Sequence, residues 1–94
     1  MKKFYAVWLP MRDPELSAKL RPEHLDYLAK KYEEGVLKAY GRFVDGWGGM
    51  LIYEAENEDQ VRAWAEADPY VVHKARGCEI HEWAIAQANL VVKN

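Results

Sequence analysis

A single cysteine, two phenylalanines and no apolar run of the roughly 18 residues a membrane-spanning helix needs are what this 94-residue chain has least of. Cys78 alone cannot close an internal disulfide, which fits a reducing compartment. Residues 1–9 are too short and too polar to act as a signal peptide, so a cytoplasmic protein away from membranes is expected. Neither sign of charge dominates, with thirteen Lys and Arg against fifteen Asp and Glu and a formal net charge of −2. No basic stripe is interleaved with aromatics, and nucleic acid is excluded as a partner. The glycines offer no phosphate loop between a strand and a helix, because Gly46, Gly48 and Gly49 fall in a hairpin turn. No internal repeat or low-complexity segment is visible.

Aromatic side chains are plentiful instead: four Trp and six Tyr in a chain that is 50% hydrophobic. A domain of this size hides roughly 60–65% of its unfolded surface, so these rings belong in the core, in a pocket or against another chain. The chain reads as one domain over 1–94, with a core of about 3–83 and a C-terminal extension over 84–94.

Lys3 to Leu9 is dense in aromatic and β-branched residues and stops at Pro10, which marks a first strand. Both of its faces, Phe4/Ala6/Trp8 and Tyr5/Val7/Leu9, are apolar and need cover. Pro10 to Leu20 carries two prolines and scattered charges and reads as a loop. Pro22 then suits the first position of a helix whose stripe runs through Leu25, Leu28, Ala29 and Tyr32 to Gly35. Val36–Phe43 and Met50–Glu56 form a hairpin around the turn cluster Asp45 to Gly49. Asn57 and Gln60 make a capping box ahead of a second helix, with Val61, Trp64 and Ala65 on one stripe, that ends near Asp68-Pro69. Tyr70 to Gly77 is ambiguous, and Cys78 to Trp83 supplies a fourth strand.

The order β-α-β-β-α-β is the ferredoxin-like, α+β arrangement, with both helices on one face of a four-stranded antiparallel sheet. Its other face is left bare. The same face of a second copy is the simplest cover, and a homodimer is expected.

Four segments resemble the YCII-related (YciI-like) family: Arg21-Pro22-Glu23-His24-Leu25, Glu34-Gly35-Val36-Leu37, Gly41-Arg42-Phe43 with Asp45-Gly46, and Ala67-Asp68-Pro69-Tyr70. They stand in the family's order and spacing, and the similarity covers about residues 3 to 83. The resemblance implies a dimeric α+β barrel like those of muconolactone isomerase and the antibiotic-biosynthesis monooxygenases, and a pocket in which a His and an Asp carry catalysis.

His24 matches the family histidine. On this reading it lies in the first turn of helix one, at the edge of the core face, where the helix dipole opposes a positive imidazole and a nearby carboxylate favours one. Asp68 matches the family Asp-Pro, and Asp before Pro is also what caps a new helical turn. A capped carboxylate is rigidly placed, as orienting an imidazole requires. Asp45, in the turn, is the rival partner, although Asp beside Gly commonly serves turn geometry. Arg42 stands where the family commonly has proline, and it is read either as an exposed strand residue or as a contact to an anionic group, with Arg42, Asp45 and Tyr70 as the expected substrate-binding residues.

His73, Cys78 and His81 cluster in sequence, but Cys78 and His81 point to opposite faces of a strand, so no metal site is expected. No cofactor is expected either. The functional expectation is a small cofactor-independent enzyme, with His24 as general acid/base and Asp68 as its orienting carboxylate. The family resemblance implies that such an enzyme eliminates or isomerises a small, aromatic or lactone-like molecule by proton transfer. A non-catalytic dimeric module that binds a small ligand or a protein is the alternative the residues leave open.

Overall fold

In the computed structural model, which describes residues 1–92, strand β1 (Lys3–Pro10) lies inside a four-stranded sheet of order β2-β3-β1-β4. It pairs antiparallel with β3 (Gly48–Ala55) along its whole length and with β4 (Glu79–Glu82) through Tyr5 to Trp8. Strand β2 (Leu37–Arg42) completes the hairpin with β3. Alternation then sorts β1 into two sets. Tyr5, Val7 and Leu9 are buried beneath the helices, and Phe4, Ala6 and Trp8 are half-buried on the other face. The expected βαββαβ, α+β fold is what the chain adopts.

Helix α1 (Pro14–Glu33) begins eight residues earlier than its sequence suggests, so the segment read as a loop is mostly helical. The cause is local. Asp13 is the N-cap, its carboxylate accepting from the Leu16 N–H at 3.0 Å, and Pro14 fills the first turn where no N–H is needed. Pro22 therefore sits inside the helix, and its ring removes one intrahelical hydrogen bond. The correction reaches the site, because His24 lies mid-helix and no longer near the positive end of the dipole. Its stripe is Ser17, His24 and Leu28, all buried.

Helix α2 (Glu58–Glu66) opens with the expected capping box: Asn57 accepts from the Gln60 N–H at 3.0 Å, and Gln60 accepts in return from the Glu56 N–H at 2.9 Å. Val61 and Ala65, one turn apart, pack into the core with Leu28 and the buried face of the sheet. The ambiguous stretch after Asp68 resolves into a one-turn helix, α3 (Pro69–Val72), and a bridge between Arg76 and Met11. Within the core Tyr53 packs its ring 5.4 Å from that of Trp64, while its hydroxyl is buried with no hydrogen-bond partner among the described residues.

Strand β2 carries an irregularity. Leu37 pairs with Tyr53 and Ala39 with Ile52, so Lys38 is an extra residue in the ladder. Beyond this bulge the parity of β2 is inverted: Tyr40 pairs with Leu51 and Arg42 with Gly49, on the helix-covered face that Leu37 also occupies. Unbroken alternation from Leu37 would put both residues on the opposite face.

The open face shows Ala6, Met50, Ile52 and Trp83 around an apolar hollow of about 330 Å³, with Leu90 of the C-terminal segment beside it. Residues 83–92 form no helix or strand. The last two residues of the expected extension, Lys93 and Asn94, lie outside the described residues. No helix among the described residues is long and apolar enough to cross a membrane.

Candidate functional site

The buried stripe of α1 brings His24 against the start of α3. There its Nδ1 lies 2.8 and 2.9 Å from the two carboxylate oxygens of Asp68. Asp68 is fully buried and His24 is 7% exposed. Asp68 also does what its sequence context suggests, since Oδ1 accepts from the Tyr70 N–H at 2.9 Å and caps α3. One carboxylate therefore both starts the short helix and holds the imidazole. Whether the ring is neutral or charged, Nδ1 carries the proton donated to Asp68, and Nε2 is the nitrogen that exchanges one.

Tyr70 completes the setting. Its ring stacks on the imidazole with centroids 3.8 Å apart and planes inclined by 13°. His24 and Tyr70 both border a cavity of about 150 Å³ between α1, the β2–β3 hairpin and α3. Leu9, Leu28 and Leu51 give it an apolar floor, and the bulge in β2 aims Tyr40 and Arg42 at its wall. An adjoining cleft of about 260 Å³ runs past Ser17, Gly46 and Gly48.

Three of the expected site residues, His24, Arg42 and Tyr70, meet at this cavity, with Asp68 directly behind the histidine. Asp45 does not join them. It lies in the exposed hairpin turn, where its carboxylate accepts from the Trp47 N–H at 3.1 Å, so it serves turn geometry and is not the partner of His24. Two further residues border both cavity and cleft: Arg21, one helical turn before His24, and Arg76. Arg21 could have been found from its i, i+3 relation to His24. Nothing local in the sequence marks Arg76, which a left-handed Lys74 (φ 60°) and the bridge to Met11 bring into place.

Burial lowers the pKa of Arg76 from the ordinary guanidinium value. The Tyr70 and Asp68 side chains oppose that shift, and the charge of Arg21 adds to it. Burial likewise raises the Cys78 thiol and the Tyr27 hydroxyl, and the latter donates to the Trp64 carbonyl at 2.8 Å. Among the described residues no three His, Cys, Asp or Glu side chains are grouped so as to hold a metal ion. What the arrangement offers is one oriented imidazole at the edge of a small, mostly apolar space with cationic walls.

A family model described as the YCII-related domain matches residues 3–84. The uncharacterized protein YjpA of Bacillus subtilis (strain 168) is 29% identical over 79 residues, which span 84% of this chain and 93% of that protein. Among solved structures, 5-chloro-2-hydroxyhydroquinone dehydrochlorinase (TftG) from Burkholderia phenoliruptrix AC1100, in complex with 2,5-dihydroxybenzoquinone, matches with a TM-score of 0.74 at 21% identity. The match covers 85% of this chain and 92% of that one, and it is a likeness of fold.

Proposed function

Since this chain belongs to the YCII-related domain family, we propose that it is a cofactor-independent enzyme that moves a proton on a small ring compound, with His24 as the acid/base and Asp68 as its anchor. One observation carries this reading: Asp68 fixes Nδ1 of His24 while the imidazole borders a cavity of single-ring size. In an elimination the substrate gives a proton to Nε2, the bond to a neighbouring leaving group breaks with its electron pair, and a double bond remains. In an isomerisation the proton returns at another atom. Both balance without an oxidant or a reductant, and a positioned base contributes roughly 10²- to 10⁴-fold to such a step. Buried behind the ring, Asp68 favours the imidazolium that forms and keeps the ring from turning. Tyr70 holds its plane and gives an aromatic substrate a surface of matching character.

The working protein on this reading is a homodimer. Helices cover only one face of the sheet, and the half-buried Phe4, Ala6, Trp8, Met50 and Ile52 on the other are best covered by the same residues of a second copy.

The test is chloride release from 5-chloro-2-hydroxyhydroquinone, the compound in the structural neighbour's name, with binding of 2,5-dihydroxybenzoquinone followed by NMR of the His24 ring. Release that falls about 100-fold or more in His24→Gln supports the reading. Ligand binding that leaves the His24 resonances unmoved, or a His24→Gln variant as active as the parent, refutes it.

A further inference from the structure

Three guanidinium groups border the space in front of His24, and none forms an ion pair among the described residues. Arg21, Arg42 and Arg76 line both the cavity and the adjoining cleft, whereas the ion pairs of the chain involve lysines, histidines, the N-terminus and Arg62. Arg76 is the most constrained of the three. It is only 8% exposed, its Nε donates to Ser17 Oγ at 3.2 Å, and the Tyr70 ring centroid lies 4.4 Å from its guanidinium carbon. Neither of its terminal NH₂ groups has an acceptor among the described residues.

A buried cation is costly unless an anion answers it, and a guanidinium is built to take two oxygens of one acidic group side by side. Asp68 cannot fill that role, because its oxygens are already shared between His24 Nδ1 and the Tyr70 N–H. Arg21 adds repulsion to the desolvation that Arg76 already bears. Two like charges beside one opening are stabilised together by an anion between them.

Resting on the proton-transfer reading of this site, we propose that Arg76, Arg21 and Arg42 form an anion subsite that selects a single-ring substrate bearing an acidic oxygen group, a carboxylate or an ionised ring hydroxyl. The size follows from the space, since a cavity of about 150 Å³ accepts one benzene-sized ring. Its apolar floor takes the ring face, and the arginines at the junction with the cleft take the acidic group. The reacting edge is thereby turned toward Nε2. The same charges stabilise the negative charge left on the ring when His24 removes a proton. Arg76 and Arg42 act at opposite ends of one mechanism of placement. Arg76 is fixed by Ser17 and Tyr70, and Arg42 is aimed inward by the bulge at Lys38.

The experiment compares benzoate with benzamide, its neutral near-isostere, as probes of the whole protein by calorimetry and by NMR of the arginine side chains. Benzoate is expected to bind about tenfold more tightly at low salt, with the difference shrinking as salt screens it. Arg42→Gln and Arg21→Gln, both at exposed positions, each reduce the benzoate preference several-fold and leave benzamide unchanged. Arg76→Lys keeps the charge without the paired donors and also loses preference. No preference for benzoate, including the case in which neither probe binds, overturns the subsite, as does inorganic phosphate binding as tightly as benzoate. Failure here is separable from failure of the catalytic reading. Equal binding of the two probes leaves the His24–Asp68 pair as it stands, whereas selective benzoate binding alongside a fully active His24→Gln variant removes the catalytic role and keeps the subsite.

Discussion

Tyr70 and His24 stack at 3.8 Å because both answer to Asp68: the same Oδ1 accepts from the Tyr70 backbone N–H and lies 2.8 Å from His24 Nδ1. A residue that caps a helix and orients an imidazole with one atom ties the position of the aromatic ring to that of the histidine. The pair therefore moves as a unit, and disturbing Asp68 disturbs both.

Substituting Asp68 separates its two duties. Asp68→Asn retains a capping oxygen and the fold. Its amide can accept from Nδ1–H or, turned over, donate to Nδ1, so His24 loses its single tautomer. The ¹⁵N shifts of the His24 ring are expected to show one tautomer in the parent and a mixture in the variant. Asp68→Ala removes the cap and strands the imidazole, at a cost of about 2 to 4 kcal/mol in urea unfolding. A His24 ring unchanged in Asp68→Asn would mean that Asp68 is a cap and nothing more.

Two glycines of the hairpin turn differ in what surrounds them. Gly46 has φ +87° and open space about it, so Gly46→Ala is expected to cost about 1 kcal/mol of backbone strain. Gly48 has φ +108°, and a Cβ there would run into the Leu9 carbonyl oxygen. Gly48→Ala should cost about 3 kcal/mol or more, since the obstacle is backbone in the middle of the sheet. Equal denaturation midpoints for the two variants would contradict the close approach of β1 and β3 at this end.

The buried Tyr53 hydroxyl, without a partner among the described residues, should be a net cost. Burial pushes its pKa up, so it stays protonated and donor-capable at any ordinary pH. Tyr53→Phe is expected to raise stability by about 1 kcal/mol in thermal or urea unfolding. Destabilisation by a similar amount would show that the hydroxyl has a partner in solution.

Association is expected to use the open face of the sheet. Sedimentation at micromolar concentration should give a species of twice 10.9 kDa, and the contact should bury more than about 1,200 Å² in total. Ile52→Lys places a charge in that contact and should give monomers, and removal of residues 88–94 should weaken the dimer through loss of Leu90 and its neighbours. A folded monomer in the parent protein would refute the arrangement.

Much of this was legible in the residues. Strand β1 announced itself by its composition, α2 by the Asn57/Gln60 box, and the His24–Asp68 pairing by its resemblance to known sequences. The start of α1 was not, because two prolines within Pro10 to Leu20 resemble chain breakers. One of them, Pro14 after Asp13, is in fact a start signal, the other, Pro10, ends β1, and the Pro22 read as the helix start is carried inside the helix. Arg76 was invisible for a different reason. It enters the site through the path of a non-helical segment around Lys74, and no periodicity encodes that path. Nor does any residue type announce that Lys38 will be the extra one in its strand.

That extra residue has a consequence for how such a pocket can change. Deleting Lys38 would straighten β2 and leave Tyr40 opposite Leu51 and Arg42 opposite Gly49, whereas drawing Lys38 into the ladder opposite Ile52 would exchange Tyr40 and Arg42 for Ala39 and Gly41 at the pocket wall, with Leu37 before it keeping its place in the core. A slip of one position in strand pairing, with no amino-acid replacement, would thus convert a charged, aromatic wall into a small and neutral one. In this fold the lining of the cavity can be rewritten by strand register, independently of the side chains that hold the sheet together.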